Sequence, residues 1–472
     1  MTSLNWTILL GFLSLLLAWV LLSPRPAATG LREAHFFRGR GETGRPIGFA
    51  TLVATLLISW IFAKSVQNAA DLGMAFGLPG GAAYAAYWLS FGVAGVVLYR
   101  LRKAGFASIH HFLRSGFGAA AVWLFSLILL FRLWNELWSN TMVVAQFFGE
   151  TGSASFLVAS WITTALVLGY SLVSGFRGSI ITDVLQMGLA LVVLMLLLGF
   201  IFPRGDAEAM VRSGSWTLVG GVDLLLVALI QCFSYPFHDP VMTDRGFLTR
   251  PRTMLWGFVA AGVLGVVFIT LFSFVGIFNH VEGIGGNSTI DTALVLGLPA
   301  VLVMNVMMLT SASSTLDSAY ASVGKLAAVD LLPSHRTDRV RVARITMVIL
   351  ALLGGSMVHA SPAILSATTV SGTMVIGLTP VFVLWWWRRP GQVSFVASVG
   401  IGLLLGLALA AGWEPGTIGE GAYGSLLFVN VLGVLACFSA YLGLAFVFPR
   451  KERKGDIPRR TPDAEPAETT AS

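Results

Sequence analysis

Apolar residues in this chain fall in blocks of about 18 to 30, separated by short polar or basic stretches. A helix of about 20 apolar residues crosses a ~30 Å hydrocarbon core, so each block predicts a transmembrane helix. The alternation over ~10 residues that marks membrane β-strands does not occur. The blocks predict an all-α polytopic protein of about thirteen helices, at 4–22, 47–76, 82–101, 119–149, 154–174, 178–202, 217–236, 254–280, 289–330, 341–359, 361–388, 393–413 and 422–449. The first block has no basic segment ahead of it and is followed by Arg25, Arg32, Arg38, Arg40 and Arg45. That pattern fits a retained helix with its N-terminus outside better than a cleaved leader.

Two of the predicted helices are irregular. The helix at 47–76 carries Lys64, Gln67, Asn68 and Asp71 at mid-depth, with Gly73 and Gly77 close by. Polar side chains at that depth need a cavity or a partner, and an unwound stretch there would offer carbonyl oxygens to a cation. The helix at 289–330 is too long for one straight crossing, and its middle, LTSASSTLDSAYASVGK, concentrates hydroxyls around Asp317. Hydroxyl and carbonyl oxygens suit a small alkali cation. Close helix packing by small residues is the alternative reading.

Composition narrows the class. The 472 residues are 56% hydrophobic and only 11% charged, against ~25% in soluble proteins, which places the chain in a bilayer. With the N-terminus outside, 26 of the 30 Lys and Arg fall on the inner side. Arg204 and Arg212 lie outside, and Lys64 and Arg132 within the membrane. The net charge of +7 therefore reflects topology and anionic lipid rather than nucleic acid. The C-terminus falls inside, and the polar tail from 450 is expected to be disordered. Cys232 and Cys437 sit in apolar blocks without metal-type spacing and read as buried, inert thiols. His238, Asp239 and Asp244 also lack a diagnostic metal spacing and read as loop or gate contacts; His110 and His111 read as surface residues.

Four segments carry a resemblance: FFRGRG and GLPGG flanking the first irregular helix, FRLWNELWSNT around Arg132, SGFRGSIITDVLQMGLAL, and SSTLDSAYASVGKLAAVDLL. On these the chain, over roughly residues 30 to 450, resembles the sodium:solute symporter family, which includes bacterial proline, sialic acid and sugar symporters. The resemblance implies a LeuT-like fold: an extra helix and loop at 1–46, a first inverted repeat at 47–202, an outer loop and second repeat at 203–388, two helices at 389–449 and the tail at 450–472. It implies a shared sodium site with hydroxyl ligands at Ser314 and Thr315 and carbonyl ligands at Ser311, Gln67 and Ala70. A second cation site would involve Asp183, Asp317 and Ser318. Asp317 stands where family members that use this site carry a hydroxyl, so two carboxylates meet there, and a sodium or a proton must offset them. Proline symporters place an acid at the position of Ala69, whereas here the acid is Asp71.

Solute contacts are expected from Arg132, Glu136, Asn135, Asp71 and Lys64. Arg132 and Glu136 lie one turn apart, so they either pair with each other or bind a solute carboxylate and amine. In sialic acid symporters the arginine matching Arg132 binds substrate carboxylate. Lys64 has Asp71 or another acid as its expected partner. The reading is a sodium:solute symporter of the bacterial inner membrane, importing an amino acid or other small carboxylate. It is not an enzyme, needs no organic cofactor and acts as a monomer. Proton-coupled or uncoupled transport and a membrane sensor are the alternatives.

Overall fold

The computed structural model describes residues 2–22, 29–39, 46–332, 338–360 and 371–450. Residues 361–370 of the predicted helix 361–388, and nearly all of the tail, lie outside them. The elements are helical throughout, as the apolar runs dictate. They are α1 (Thr2–Leu22), α2 (Thr29–Arg38), α3 (Phe49–Ile58), α4 (Ala63–Phe76), α5 (Leu78–Ala85), α6 (Ser90–Lys103), α7 (Ile109–Phe117), α8 (Ala119–Ala145), α9 (Ala154–Ile201) and α10 (Ala207–Val211). There follow α11 (Asp223–Gln231), α12 (Pro240–Arg245), α13 (Pro251–Val281), α14 (Ile290–Leu296), α15 (Leu298–Lys325), α16 (Arg339–Met357), α17 (Leu378–Val383), α18 (Gln392–Ala410) and α19 (Gly424–Val447). Among the described residues nine helices are long and apolar enough to cross a membrane, or ten with the bent pair α3–α4.

The helix α9 has 48 residues, which at ~1.5 Å per residue is over twice the thickness of a hydrocarbon core. Gly175, at φ 52° and ψ −137°, interrupts it where the sequence separates 154–174 from 178–202. Only glycine takes that backbone easily, and the Phe36 ring and carbonyl of α2 fill the space a side chain would need.

The breaks differ from those expected. The pair α3–α4 bends by 62° at Ser59–Phe62, within the apolar sequence SWIF, and not around Gln67–Gly77. The polar residues 64–71 are regular helix, because their side chains find partners without unwinding the backbone. The long segment 289–330 divides at Gly297, ahead of its hydroxyl-rich run, which is an unbroken part of α15. A second break lies in the predicted helix 217–236. There α11 ends at Gln231, a turn spans Tyr235–His238, and α12 starts at Pro240. Pro236 and Pro240 bring no N–H to a continuing helix, so the helical ladder stops between them.

Packing sets the two breaks side by side. The most extensive contact is α15 on α9, followed by α13 on α4. The second is close because Gly276 of α13 receives the Ala70 carbonyl, where a Cβ would collide with it. Trp60 of the first break meets the ring of Tyr235 in the second at 5.8 Å between centroids.

Candidate solute and cation sites

Four buried charges meet between the breaks. Lys64 Nζ lies 2.8 Å from Glu136 Oε1 and donates to Asn135 Oδ1 at 3.1 Å. The Arg132 guanidinium pairs with Glu136, and its Nη2 lies 3.1 Å from Asp239 Oδ2. Trp60 Nε1 donates to the same Asp239 oxygen at 2.8 Å, while Asp239 Oδ1 accepts from the Val241 and Met242 amides and so caps α12. Asn140 donates to Glu136 and accepts from the Lys64 backbone amide. All four charged residues are about 1% exposed. Their formal charges cancel, as buried charges require. Phe62 and Tyr235 each lie 5.3 Å from the Arg132 guanidinium carbon, so the breaks supply aromatic walls. Among the described residues, Arg132 Nε, Trp138 Nε1, His238 Nε2 and Asn68 Oδ1 are buried without a hydrogen-bond partner on the elements around this cluster.

A second cluster joins α3, α9, α12 and α15. Ser314 donates to Asp183 Oδ1 at 2.6 Å. Asp183 Oδ2 accepts from Thr55 and, at 2.9 Å, from Arg245 Nη2. Asp317 Oδ2 accepts from Tyr170 at 2.9 Å and Thr182 at 2.8 Å, and its Oδ1 from Ser318 at 3.2 Å. Thr315 donates to the Ser311 carbonyl at 2.8 Å, one turn back. The unwound start of the first break reaches this cluster through Ser59, whose hydroxyl is 3.3 Å from that of Ser318. Among the described residues, the carbonyls of residues 58–61 receive no hydrogen bond, so four backbone oxygens stand free along the break whose Ser59 hydroxyl touches this cluster. Hard oxygen donors of this kind suit an alkali cation.

The structure thus unites Ser311, Ser314, Thr315, Asp183, Asp317 and Ser318, and separately Arg132, Glu136, Asn135 and Lys64. It places three residues elsewhere. The Ala70 carbonyl turns to α13, away from α15. Gln67 and Asp71 belong to a latch with the α13–α14 loop: Asp71 accepts from Ser288 at 2.5 Å and from Gln67 at 2.8 Å, and Thr289 donates to Gln67 Oε1 at 2.7 Å. Lys64 pairs with Glu136 and not with Asp71, since the bend swings it toward α8. Trp134 points outward and donates to the Leu353 carbonyl of α16.

The residues 238, 239 and 110 are buried rather than at a loop surface, and among the described residues no group of acids, His and Cys is arranged to hold a metal. Arg245, counted with the loop charges in sequence, is wholly buried; its position past two prolines in a polar run gave no sign of this. At the basic end of the bundle Lys325 bridges Asp244 at 2.6 Å and Asp330 at 3.0 Å, beside a cavity of about 570 Å³. His110 of α7 lies 3.9 Å from Asp330, and burial holds its imidazole down to about 4, so it is neutral near pH 7.

No protein-family profile matches the sequence, and no curated protein sequence matches it. Solved structures do share its fold. A Na+-coupled sialic acid symporter, in a substrate-bound outward-open state, aligns with a TM-score of 0.70 at 15% identity, over 94% of this chain and 98% of its own. Mhp1, a nucleobase-cation-symport-1 family transporter, aligns in a closed conformation with bromovinylhydantoin bound at a TM-score of 0.54 and 15% identity, over 88% and 95% of the two chains. Its inward-facing form gives 0.55 at 13% identity, over 90% and 95%. The likeness is one of fold, LeuT-like and shared with these membrane transporters.

Proposed function

We propose that this protein is a secondary active transporter that imports a small organic solute with sodium by alternating access. The observation that carries the reading is the acid- and hydroxyl-lined cluster of α9 and α15 set against free carbonyls at the first break. Sodium is bound by the Ser314 and Thr315 hydroxyls, the Ser311 carbonyl and carbonyls within residues 58–61. The last replace Gln67 and Ala70, whose positions point elsewhere. The chain sits in a bacterial inner membrane with its N-terminus outside, crosses about thirteen times in two inverted repeats, and works as a monomer.

The solute lies between the breaks, on Arg132, Lys64, Glu136 and Asn135. Because these charges already cancel with Asp239, a solute of zero net charge leaves the site balanced. A zwitterion such as an amino acid meets that condition: its carboxylate takes the Arg132 fork and its ammonium takes the acid so released. Moving one positive charge inward yields ~2.3 kcal/mol per 100 mV. Sodium binding favours the solute-binding state, and by linkage solute tightens sodium. Purified protein in liposomes, given a panel of amino acids and neutral and anionic solutes, tests this. Uptake should follow an inward sodium gradient. Uptake that ignores sodium and follows a pH gradient sinks the sodium reading and favours a proton carried on the Asp183–Asp317 pair.

A further inference from the structure

The residues Asp183 and Ser318, marked in sequence as part of a second cation site, already hold a cation. Arg245 Nη2 lies 2.7 Å from Ser318 Oγ, 2.9 Å from Asp183 Oδ2 and 3.2 Å from Ser179 Oγ. Its Nε donates to Thr55 Oγ1 at 2.7 Å and its Nη1 to the Val241 carbonyl at 2.7 Å. We propose that the Arg245 guanidinium is a tethered cation occupying the second cation position, so that each solute is carried with one sodium ion rather than two.

This rests on the sodium-coupled reading and sharpens its stoichiometry. Two observations carry it. The first is occupancy. A second sodium at Asp183 and Ser318 would need oxygens that now accept guanidinium N–H groups, while the third residue, Asp317, already accepts from Tyr170, Thr182 and Ser318. The hydroxyls serve both partners without conflict, since Ser318 accepts from Arg245 and donates to Asp317. The second is charge. With both acids ionised, Asp183 and Asp317 bring two negative charges and Arg245 one positive, all in residues no more than 1% exposed. One monovalent cation at Ser314 and Thr315 brings the sum to zero. Another would leave unit positive charge buried beside a guanidinium, and like charges so placed repel strongly in a low-dielectric interior. Arg245 lies on α12, directly after the second break, so the tethered charge also ties α12 to α3, α9 and α15.

The test uses the full-length protein in liposomes. For the wild type, reversal potentials under opposed sodium and solute gradients should give one sodium per solute, and the sodium-activation curve a Hill coefficient of about 1. Arg245→Gln keeps hydrogen-bonding capacity but removes the charge, and should raise the Hill coefficient to about 2. Arg245→Lys keeps the charge and should hold the wild-type value. Two sodium ions per solute in the wild type overturns the inference, whatever the variants do, and leaves sodium coupling standing. An Arg245→Gln protein that transports with unchanged sodium stoichiometry also overturns it. Uptake without any sodium response sinks both readings.

Discussion

The two buried ionic clusters are built from the same residue types and are opposite in balance. Around Arg132 two cations face two acids, and every charge has its counterpart within the protein. Around Arg245 one cation faces two acids, with hydroxyls making up the contacts. Burying a charge is costly unless it is paired, so each arrangement states what it lacks. The balanced cluster lacks no charge, and admits a charged group only by exchanging partners; a neutral or zwitterionic solute does this without residue. With both acids ionised, the unbalanced cluster is short of one positive charge, and it adjoins the break through Ser59. Its composition asks for one monovalent cation. Their separation along the first broken pair, one at Thr55–Ser59 and the other at Trp60–Lys64, lets a single bend in the backbone serve both.

The largest expected effect breaks the unbalanced cluster. Asp183→Asn leaves Arg245 wholly buried without its carboxylate, which should remove about 3–5 kcal/mol of stability. Thermal unfolding in detergent would show this as a large drop in melting temperature. Adding Arg245→Gln to Asp183→Asn should recover most of it, because the orphaned charge goes too. A single variant as stable as the wild type would mean that the ion pair does not hold the cluster.

On the balanced side, Arg132→Ala leaves Glu136 and Asp239 with Lys64 alone. Solute affinity should fall by roughly 100-fold, about 3 kcal/mol, with sodium activation little changed. Unaltered affinity for the preferred solute would remove Arg132 from the solute site. A smaller effect is expected at the hydroxyls: Ser314→Ala with Thr315→Ala should raise the sodium concentration for half-maximal uptake by roughly 10- to 30-fold, at about 1 kcal/mol per lost oxygen. If only solute affinity moved, the division between the clusters would be wrong.

The hydroxyl helix and Arg132 with Glu136 were legible because rare polar residues in apolar blocks mark themselves. Arg245 was not. It follows Pro236, His238, Asp239 and Pro240 in a stretch that reads as a loop, and only the second break folds that stretch into the core. The first break was misplaced for a related reason. Polar residues 64–71 drew attention, yet the backbone unwinds in SWIF, where the oxygens it exposes are carbonyls with no residue signature. The all-helical type followed from hydropathy, while the second break hid inside an apolar run of ordinary length, signalled only by two prolines.

Asp71 lies outside both clusters and sets the lower end of the scale. Sequence places it among the solute contacts; geometry gives it to a latch, where Ser288 and Gln67 donate to it and Thr289 closes on Gln67. Asp71→Asn keeps the shape but loses charge-assisted hydrogen bonds, a change of about 1 kcal/mol or a few-fold. As a latch residue it should alter how often the segment at 286–292 opens. Reagent access to a cysteine introduced at Ile290, whose side chain makes no latch bond, should rise a few-fold, while the solute KM stays close to wild type. As a solute contact it would do the reverse, raising KM as Arg132→Ala does and leaving access unchanged. The two outcomes separate cleanly, because the latch carries its single negative charge part-exposed and each ionic cluster carries its charges fully buried.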